Sequence, residues 1–199
     1  MNLFNYLIDQ SRKPKGFVGK IMLKIMNKAH RNIFELGIGN INIQEDNRIL
    51  DLGFGGGIAL KQLSRQYKNI KLFGIDFSEE AIETASKNNI NDIQSGKITL
   101  IKADIEKIPF PDNYFDIITA FQTHYHWDNL LGKIKEIYRV LNSNGQFIIT
   151  AEKYKINYHM EKYKTEDEII RLFNDVGFKK IEYKEVKNNM YIKGIKKLK

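Results

Sequence analysis

Between Ile49 and Gly57 the chain reads Ile-Leu-Asp-Leu-Gly-Phe-Gly-Gly-Gly, an apolar run carrying one acid, Asp51, that breaks into glycines at 53, 55, 56 and 57. A strand that ends in glycines and restarts as a helix, here from Ile58 to Tyr67, brings bare backbone and a helix N-terminus up to a ligand, because glycine has no Cβ to hold the ligand off. This is the chemistry of a nucleotide-cofactor loop. The glycine register narrows it. A dinucleotide fingerprint, G-x-G-x-x-G, starting at Gly53 needs glycine where Ile58 stands, and starting at Gly55 it needs glycine where Leu60 stands. No Gly-Lys-Ser/Thr follows, so a phosphate-cradling P-loop is excluded as well. The pattern that remains is Asp-x-Gly-x-Gly-x-Gly. Asp76 ends a second apolar run 19 positions after Gly57, where an α/β nucleotide fold places the acid that accepts both ribose hydroxyls.

A second constellation follows the fourth apolar run: Phe121-Gln122-Thr123-His124-Tyr125-His126-Trp127-Asp128. In an open α/β sheet ligands bind beyond the carboxyl ends of the strands, so this segment is expected to line a reaction centre. His124 or His126 could serve as general base toward a hydroxyl, the alternative being hydrogen-bonded loop residues. A His-x-His metal site lacks a third ligand, and no metal is expected. Tyr154 and Tyr158, with His159, Met160 and Tyr163, are expected to form another wall of the same recess. Such aromatic density suits a planar or cationic partner.

The elements that must position these residues alternate. Strands are expected near 49–53, 71–76, 98–102, 115–121 and 145–151, with helices near 57–67, 78–91, 128–141 and 165–176, which argues for a doubly wound parallel sheet. Ser78 is placed to cap the second of these helices, with Glu79 and Glu80 in its first turn, and Gly177 ends the last. Residues 179–186 and 190–195 alternate as a hairpin with Asn188-Asn189 as its turn. Upstream, Phe17, Val18, Ile21, Met22, Ile25, Met26 and Ala29 fall at helical spacing opposite Lys20, Lys24, Lys28 and Arg31. This basic amphipathic helix could pack on the domain, close over the site as a lid, or lie on a membrane surface.

Asp51, Gly53, Gly55 and Gly57 together resemble motif I of class I S-adenosylmethionine-dependent methyltransferases. Ala103-Asp104-Ile105 resembles that family's adenine-binding motif, Phe110 to Ile118 the loop and strand that follow it, and Ile137 to Leu141 with Asn144-Gly145 the helix and turn before the fifth strand. The resemblance covers residues 47 to 151. Thr123-His124-Tyr125-His126-Trp127 looks like the Thr-x-Tyr-x-Trp run of small bacterial methyltransferases of the ubiquinone/menaquinone-biosynthesis type, and Pro14, Gly16 and Gly19 resemble the start of those proteins.

The resemblance implies a Rossmann-like, seven-stranded, mostly parallel sheet at 47–199, with an N-terminal helical extension or lid at 1–46. It implies S-adenosyl-L-methionine as cofactor and S-adenosyl-L-homocysteine as product, with in-line transfer of a methyl group. On this reading the Gly53-Phe54-Gly55-Gly56-Gly57 backbone approaches the methionyl and ribose portions and Asp51 faces the methionyl ammonium. Asp76 takes the ribose, Phe77 an adenine face, and Asp104 with the Ile105 N–H the adenine edge. Phe121 lines the cofactor side, while Tyr125, Trp127, Tyr154 and Tyr158 line the substrate pocket and Tyr125, His124 and His126 are the catalytic candidates. Each acid could instead cap a neighbouring helix, and Phe77 could be core packing. The Asn/Asp-Pro-Pro-Tyr/Phe motif of enzymes acting on planar amino groups is missing, which disfavours that chemistry.

Composition sets the remaining bounds. At 199 residues one domain is the natural unit, and the chain has no cysteine, hence no disulfide, thiolate nucleophile or cysteine-ligated zinc. No run of about 18 apolar residues occurs and no basic-then-apolar leader opens the chain, so a cytoplasmic protein without a membrane span is expected. The net charge of +8 lies outside the cofactor core: +4 over 1–48, −1 over 49–151 and +5 over 152–199. Lysines outnumber arginines 26 to 6, whereas nucleic-acid recognition leans on arginine forks. A solvated surface is the first reading of that charge, an anionic small substrate or membrane surface the second, nucleic acid the third. The resemblance leads to the expectation of a small-molecule acceptor, with an RNA- or protein-directed methyltransferase, a cofactor-binding regulator without turnover and a nicotinamide-dependent oxidoreductase as alternatives.

Overall fold

The structure, a computed structural model, describes residues 31–197, so the amphipathic stretch at 17–29 and the Pro14, Gly16 and Gly19 pattern lie outside the described residues. Seven strands form one sheet in the order β3-β2-β1-β4-β5-β7-β6. They are β1 (Arg48–Leu52), β2 (Lys71–Asp76), β3 (Ile98–Lys102), β4 (Phe115–Phe121), β5 (Leu141–Glu152), β6 (Phe178–Val186) and β7 (Asn189–Lys196). All pairings are parallel except those of β7, which runs antiparallel between β5 and β6.

The strand sequences explain this placement. Ile49, Leu50, Asp51 and Leu52 are all buried, the signature of a central parallel strand covered on both faces. On one face Ile49, Ile117 and Ile148 pack with Phe34 and Ile38 of α1 (Arg31–Ile38), Leu60 and Leu63 of α2 (Ile58–Gln66), and Ala81 and Ala85 of α3 (Glu79–Asn88). On the other, Leu50, Ile118 and Phe147 pack with Ile134 and Ile137 of α5 (Leu130–Val140) and with Ile169 and Phe173 of α7 (Glu166–Val176). The doubly wound, seven-stranded architecture is thus the one expected.

Four details differ from the sequence reading. The helix expected at 78–91 is divided at Asn89 into α3 and a short α4 (Ile90–Gln94), and β5 begins at Leu141 because an irregular Asn142–Gly145 segment precedes its regular pairing at Gln146. Residues Lys153–His159, expected as part of another wall with no element assigned, form a short helix, α6. The hairpin turn is Lys187-Asn188, since Asn189 already pairs with both Val186 and Glu152 and Lys187 carries the left-handed φ of 57°.

β7 is locked into place by its last residue. The Lys196 ammonium is buried and donates to the carbonyls of Tyr138 and Leu141, each at 2.6 Å, and to Asn113 Oδ1 at 2.9 Å. It thereby satisfies carbonyls at the C-terminal end of α5 that no intrahelical N–H can reach.

Candidate functional site

At the carboxyl end of β1 the alternation in Asp-x-Gly-x-Gly-x-Gly has a conformational cause. Gly53, Gly55 and Gly57 have φ of 66°, 52° and 72°, left-handed values that a side chain resists, while the residues between them do not. Two of the three are also sterically required. A Cβ on Gly53 would meet Thr123 Oγ1 at 2.4 Å, and one on Gly57 would meet Ala85 Cβ and Asn89 Nδ2 at 2.7 Å each. Gly53 therefore lets the segment after β4 close onto the loop, and Gly57 lets α3 do so from the other side. Phe54 is buried and its ring fills the space above Gly74.

The loop is anchored by groups that sequence reasoning did not single out. Asn88 Nδ2 donates to the Gly56 carbonyl at 2.8 Å and Asn89 Nδ2 to the Gly57 carbonyl at 3.2 Å. The signal was present as two adjacent amides at the end of α3, but their target lies 32 positions upstream.

Two acids flank the loop. Asp51 is 2% exposed and accepts from Thr119 Oγ1 at 2.8 Å, its cross-strand partner on β4. Burial raises its carboxyl from 3.8 to about 7; the Thr119 hydroxyl works against that rise and the nearby Asp76 charge adds to it. Asp76 is also buried, its Oδ2 accepting from the Gly55 N–H and its Oδ1 from the Ser78 N–H, each at 3.0 Å. Burial raises Asp76 too, opposed by those N–H donors and that of Phe77. Ser78 caps α3, accepting from the Ala81 N–H at 3.4 Å. The Phe77 ring is 44% exposed at the rim.

At the neighbouring carboxyl end of β3, Asp104 caps a 3-10 turn (Ile105–Lys107), accepting the Glu106 N–H at 3.0 Å, and Ile105 is buried behind it. Asp51, Asp76 and Asp104 thus occupy the carboxyl ends of three adjacent strands.

The segment after β4 is divided between packing and exposure. The Phe121 ring meets Phe34 edge-on with centroids 5.6 Å apart and fills the space above Gly37, so it is committed to α1. His124 is fully buried with neither ring nitrogen hydrogen-bonded, and burial lowers it from 6.5 to about 3. Tyr125 is buried and stacks on His159 of α6, with centroids 5.4 Å apart and planes 13° apart; His126 stands edge-on to both rings. Burial, with the Glu152 and Tyr154 charges, drives the Tyr125 phenol well above its usual value, so it remains a proton donor. Trp127 Nε1 donates to Thr123 Oγ1 at 3.3 Å, which ties this wall to the glycine loop. Tyr154 and Tyr158 are 54% and 61% exposed on α6. Gln122, held at φ 58°, donates from Nε2 to Glu152 Oε2 at 2.7 Å and accepts the Glu152 N–H, clamping the ends of β4 and β5 together.

The methyltransferase domain family model matches residues 50–149, half of the chain, spanning β1 through β5. The chain belongs to this methyltransferase family. It is an S-adenosylmethionine-dependent methyltransferase of the class I fold. It is 27% identical over 171 residues to the uncharacterized methyltransferase YdaC of Bacillus subtilis, covering 84% of this chain and 92% of that one. It is 36% identical over 145 residues to the ubiquinone/menaquinone biosynthesis C-methyltransferase of Geotalea daltonii, covering 72% of this methyltransferase and 60% of that one. In fold it is similar to a methyltransferase from Aquifex aeolicus, with a TM-score of 0.72 at 23% identity over 88% of this chain and 97% of the other.

The residues present fit the methyl donor. A concave backbone with three left-handed glycines beside two buried, mutually repelling carboxylates suits a ligand carrying both a cation and ribose hydroxyls. No helix among the described residues is long and apolar enough to cross a membrane.

Proposed function

We propose that this methyltransferase acts on a small molecule, held in the recess between the segment after β4 and α6. The observation that carries the reading is the Tyr125, His126 and His159 stack, joined through Trp127 and Thr123 to Gly53. An aromatic recess of a few side chains suits a small planar or cationic acceptor, whereas a polynucleotide needs a continuous basic track. The core that bears the site carries a net −1 over residues 49–151, which supports the same reading.

The donor's positions are part of the same proposal. The 53–57 backbone would hold the methionyl and ribose portions, Asp51 the ammonium and Asp76 the ribose hydroxyls. Phe77 would cover an adenine face, with Asp104 and the Ile105 N–H at the adenine edge. S-adenosylmethionine supplies a methyl group on a positively charged sulfur, open to displacement from the side opposite that sulfur. The chain's part is to hold the acceptor on that line and keep water out. Tyr125, protonated and fixed against His159, would donate a hydrogen bond that orients the acceptor. Exposed Tyr154 and Tyr158 would form its outer wall, with Trp127 on the donor side. His124, neutral and buried, would act from behind this wall, and His126 would be the imidazole offered to a reacting hydroxyl.

Calorimetric titration with S-adenosylmethionine and S-adenosylhomocysteine, then tritium transfer from labelled donor into fractionated extracts, tests the reading. Label is expected in the small-metabolite fraction. Label confined to RNA or protein would overturn the small-molecule acceptor, and binding without transfer to any fraction would overturn turnover.

A further inference from the structure

Lys133 stands out because its residue type does not suit its surroundings. It lies on α5 at a position whose helical neighbours Leu130, Ile134 and Ile137 are core residues, and its own side chain is 6% exposed. Its ammonium nevertheless reaches three carboxylates on two different loops. Asp128 Oδ1 is 2.8 Å away, Glu106 Oε1 3.3 Å and Asp104 Oδ1 3.8 Å. Burial alone would lower the lysine; the carboxylates outweigh it and hold the ammonium charged.

The three partners differ from the lysine in exposure. Their side chains are 65%, 57% and 77% exposed for Asp104, Glu106 and Asp128. Ion pairs with such exposed partners add little to stability, since water and salt screen them. A buried, pre-oriented cation does something else for an exposed carboxylate: it restricts where the carboxylate points. Asp104 accepts the Glu106 N–H through Oδ1, the oxygen that also faces Lys133, so both contacts fall on one oxygen and Oδ2 is left for a ligand. Asp128 follows Trp127, whose indole is tied to Thr123 and so to Gly53. One ammonium therefore spans the turn after β3 and the segment after β4.

We infer that Lys133 is a positioning residue, fixing the Asp104 carboxylate for the adenine amino group and coupling that turn to the acceptor wall. The inference rests on the reading of Asp104 as the adenine-edge acid. It adds a base-discriminating element seated on α5, outside the glycine loop and both acids that flank it.

The test compares binding of S-adenosylhomocysteine with S-inosylhomocysteine, in which a carbonyl oxygen replaces the amino group that Asp104 would accept from. Calorimetry on the whole chain gives both affinities and the active fraction, so partial unfolding of a variant does not alter their ratio. The unmodified chain is expected to prefer the adenosyl compound by about tenfold or more, the range for a hydrogen bond to a charged group. Asp104→Asn should abolish most of that preference. Lys133→Met, which fits the same buried channel, should reduce it to about threefold or less, Lys133→Arg should restore it, and Asp104→Asn added to Lys133→Met should remove nothing further. If Asp104→Asn collapses the preference and Lys133→Met leaves it at the starting value, Lys133 is not the positioning group while the Asp104 reading stands. Absence of any preference in the unmodified chain would overturn the Asp104 reading, and the role of Lys133 with it.

Discussion

Replacing Asp51 with asparagine is expected to make the ligand-free protein more stable and a poorer binder of its methyl donor. The carboxyl sits 2% exposed, with Thr119 Oγ1 donating to it at 2.8 Å, and an asparagine oxygen can accept the same bond. Raising a carboxyl from 3.8 to about 7 on folding corresponds to about 4 kcal/mol, at about 1.4 kcal/mol per tenfold change in proton affinity. The sign follows from proton uptake. Between pH 4 and 7 the folded state holds the Asp51 proton and the unfolded state has released it, so this group's contribution to stability is complete below pH 4 and lost as pH rises through 7. Local relaxation absorbs part of the cost, leaving about 2–4 kcal/mol at pH 8, or roughly 5–15 °C for a domain of this size. Thermal melts of both proteins from pH 4 to 8 should coincide at the acid end and separate progressively above it, Asp51→Asn melting higher. Calorimetry at pH 8 should show the variant binding S-adenosylmethionine about ten- to a hundredfold more weakly, having lost the charge proposed to face the ammonium. Parallel melting curves at every pH, or a variant melting below the parent at pH 8, would refute the assignment of strain to this carboxylate.

Asp76→Ala should weaken S-adenosylmethionine binding by about 1.5–3 kcal/mol in calorimetry, because it removes the proposed ribose acceptor and frees the Gly55 N–H that Asp76 holds. Gly57→Ala should lower unfolding free energy in urea by about 2–4 kcal/mol, combining a left-handed φ of 72° with contacts at 2.7 Å to Ala85 and Asn89. Tyr125→Phe keeps the stack on His159 and should spare donor affinity while reducing turnover by about tenfold or more in a transfer assay. His124→Leu should protect against acid. The buried imidazole falls from 6.5 to about 3, so its stabilising contribution is present above pH 6.5 and lost as pH drops, and melts of the two proteins should diverge below that value.

Legibility in the sequence tracked the range of the interactions involved. β2, β3 and β4 have the boundaries expected from their apolar runs, and Ser78 and Gly177 sit at the helix ends where their types suggest. The carboxyl-end acids were readable because an acid closing an apolar run is a local pattern. α6 was not, since Ile156 is its one buried residue and the helix forms by docking on the Tyr125 segment. The packing of the Phe121 ring on Phe34 was not readable either, since no local pattern reports the place of Phe34 on the sheet. The Gln122–Glu152 clamp, the Asn88 and Asn89 anchors and the Lys133 bridge join residues about 30 positions apart. Each is an ordinary polar residue until the sheet order brings its partner near.

The seating of β7 bears on how the protein is made. A ribosome delivers this strand after every other strand described, yet its place is inside the sheet, with β5 on one side and the edge strand β6 on the other. Until it emerges, the nascent chain offers β5 as an unpaired edge, Phe147-Ile148-Ile149 included, to any neighbouring polypeptide. A stop codon that removed only β7 would therefore produce an aggregating product, not a shortened enzyme.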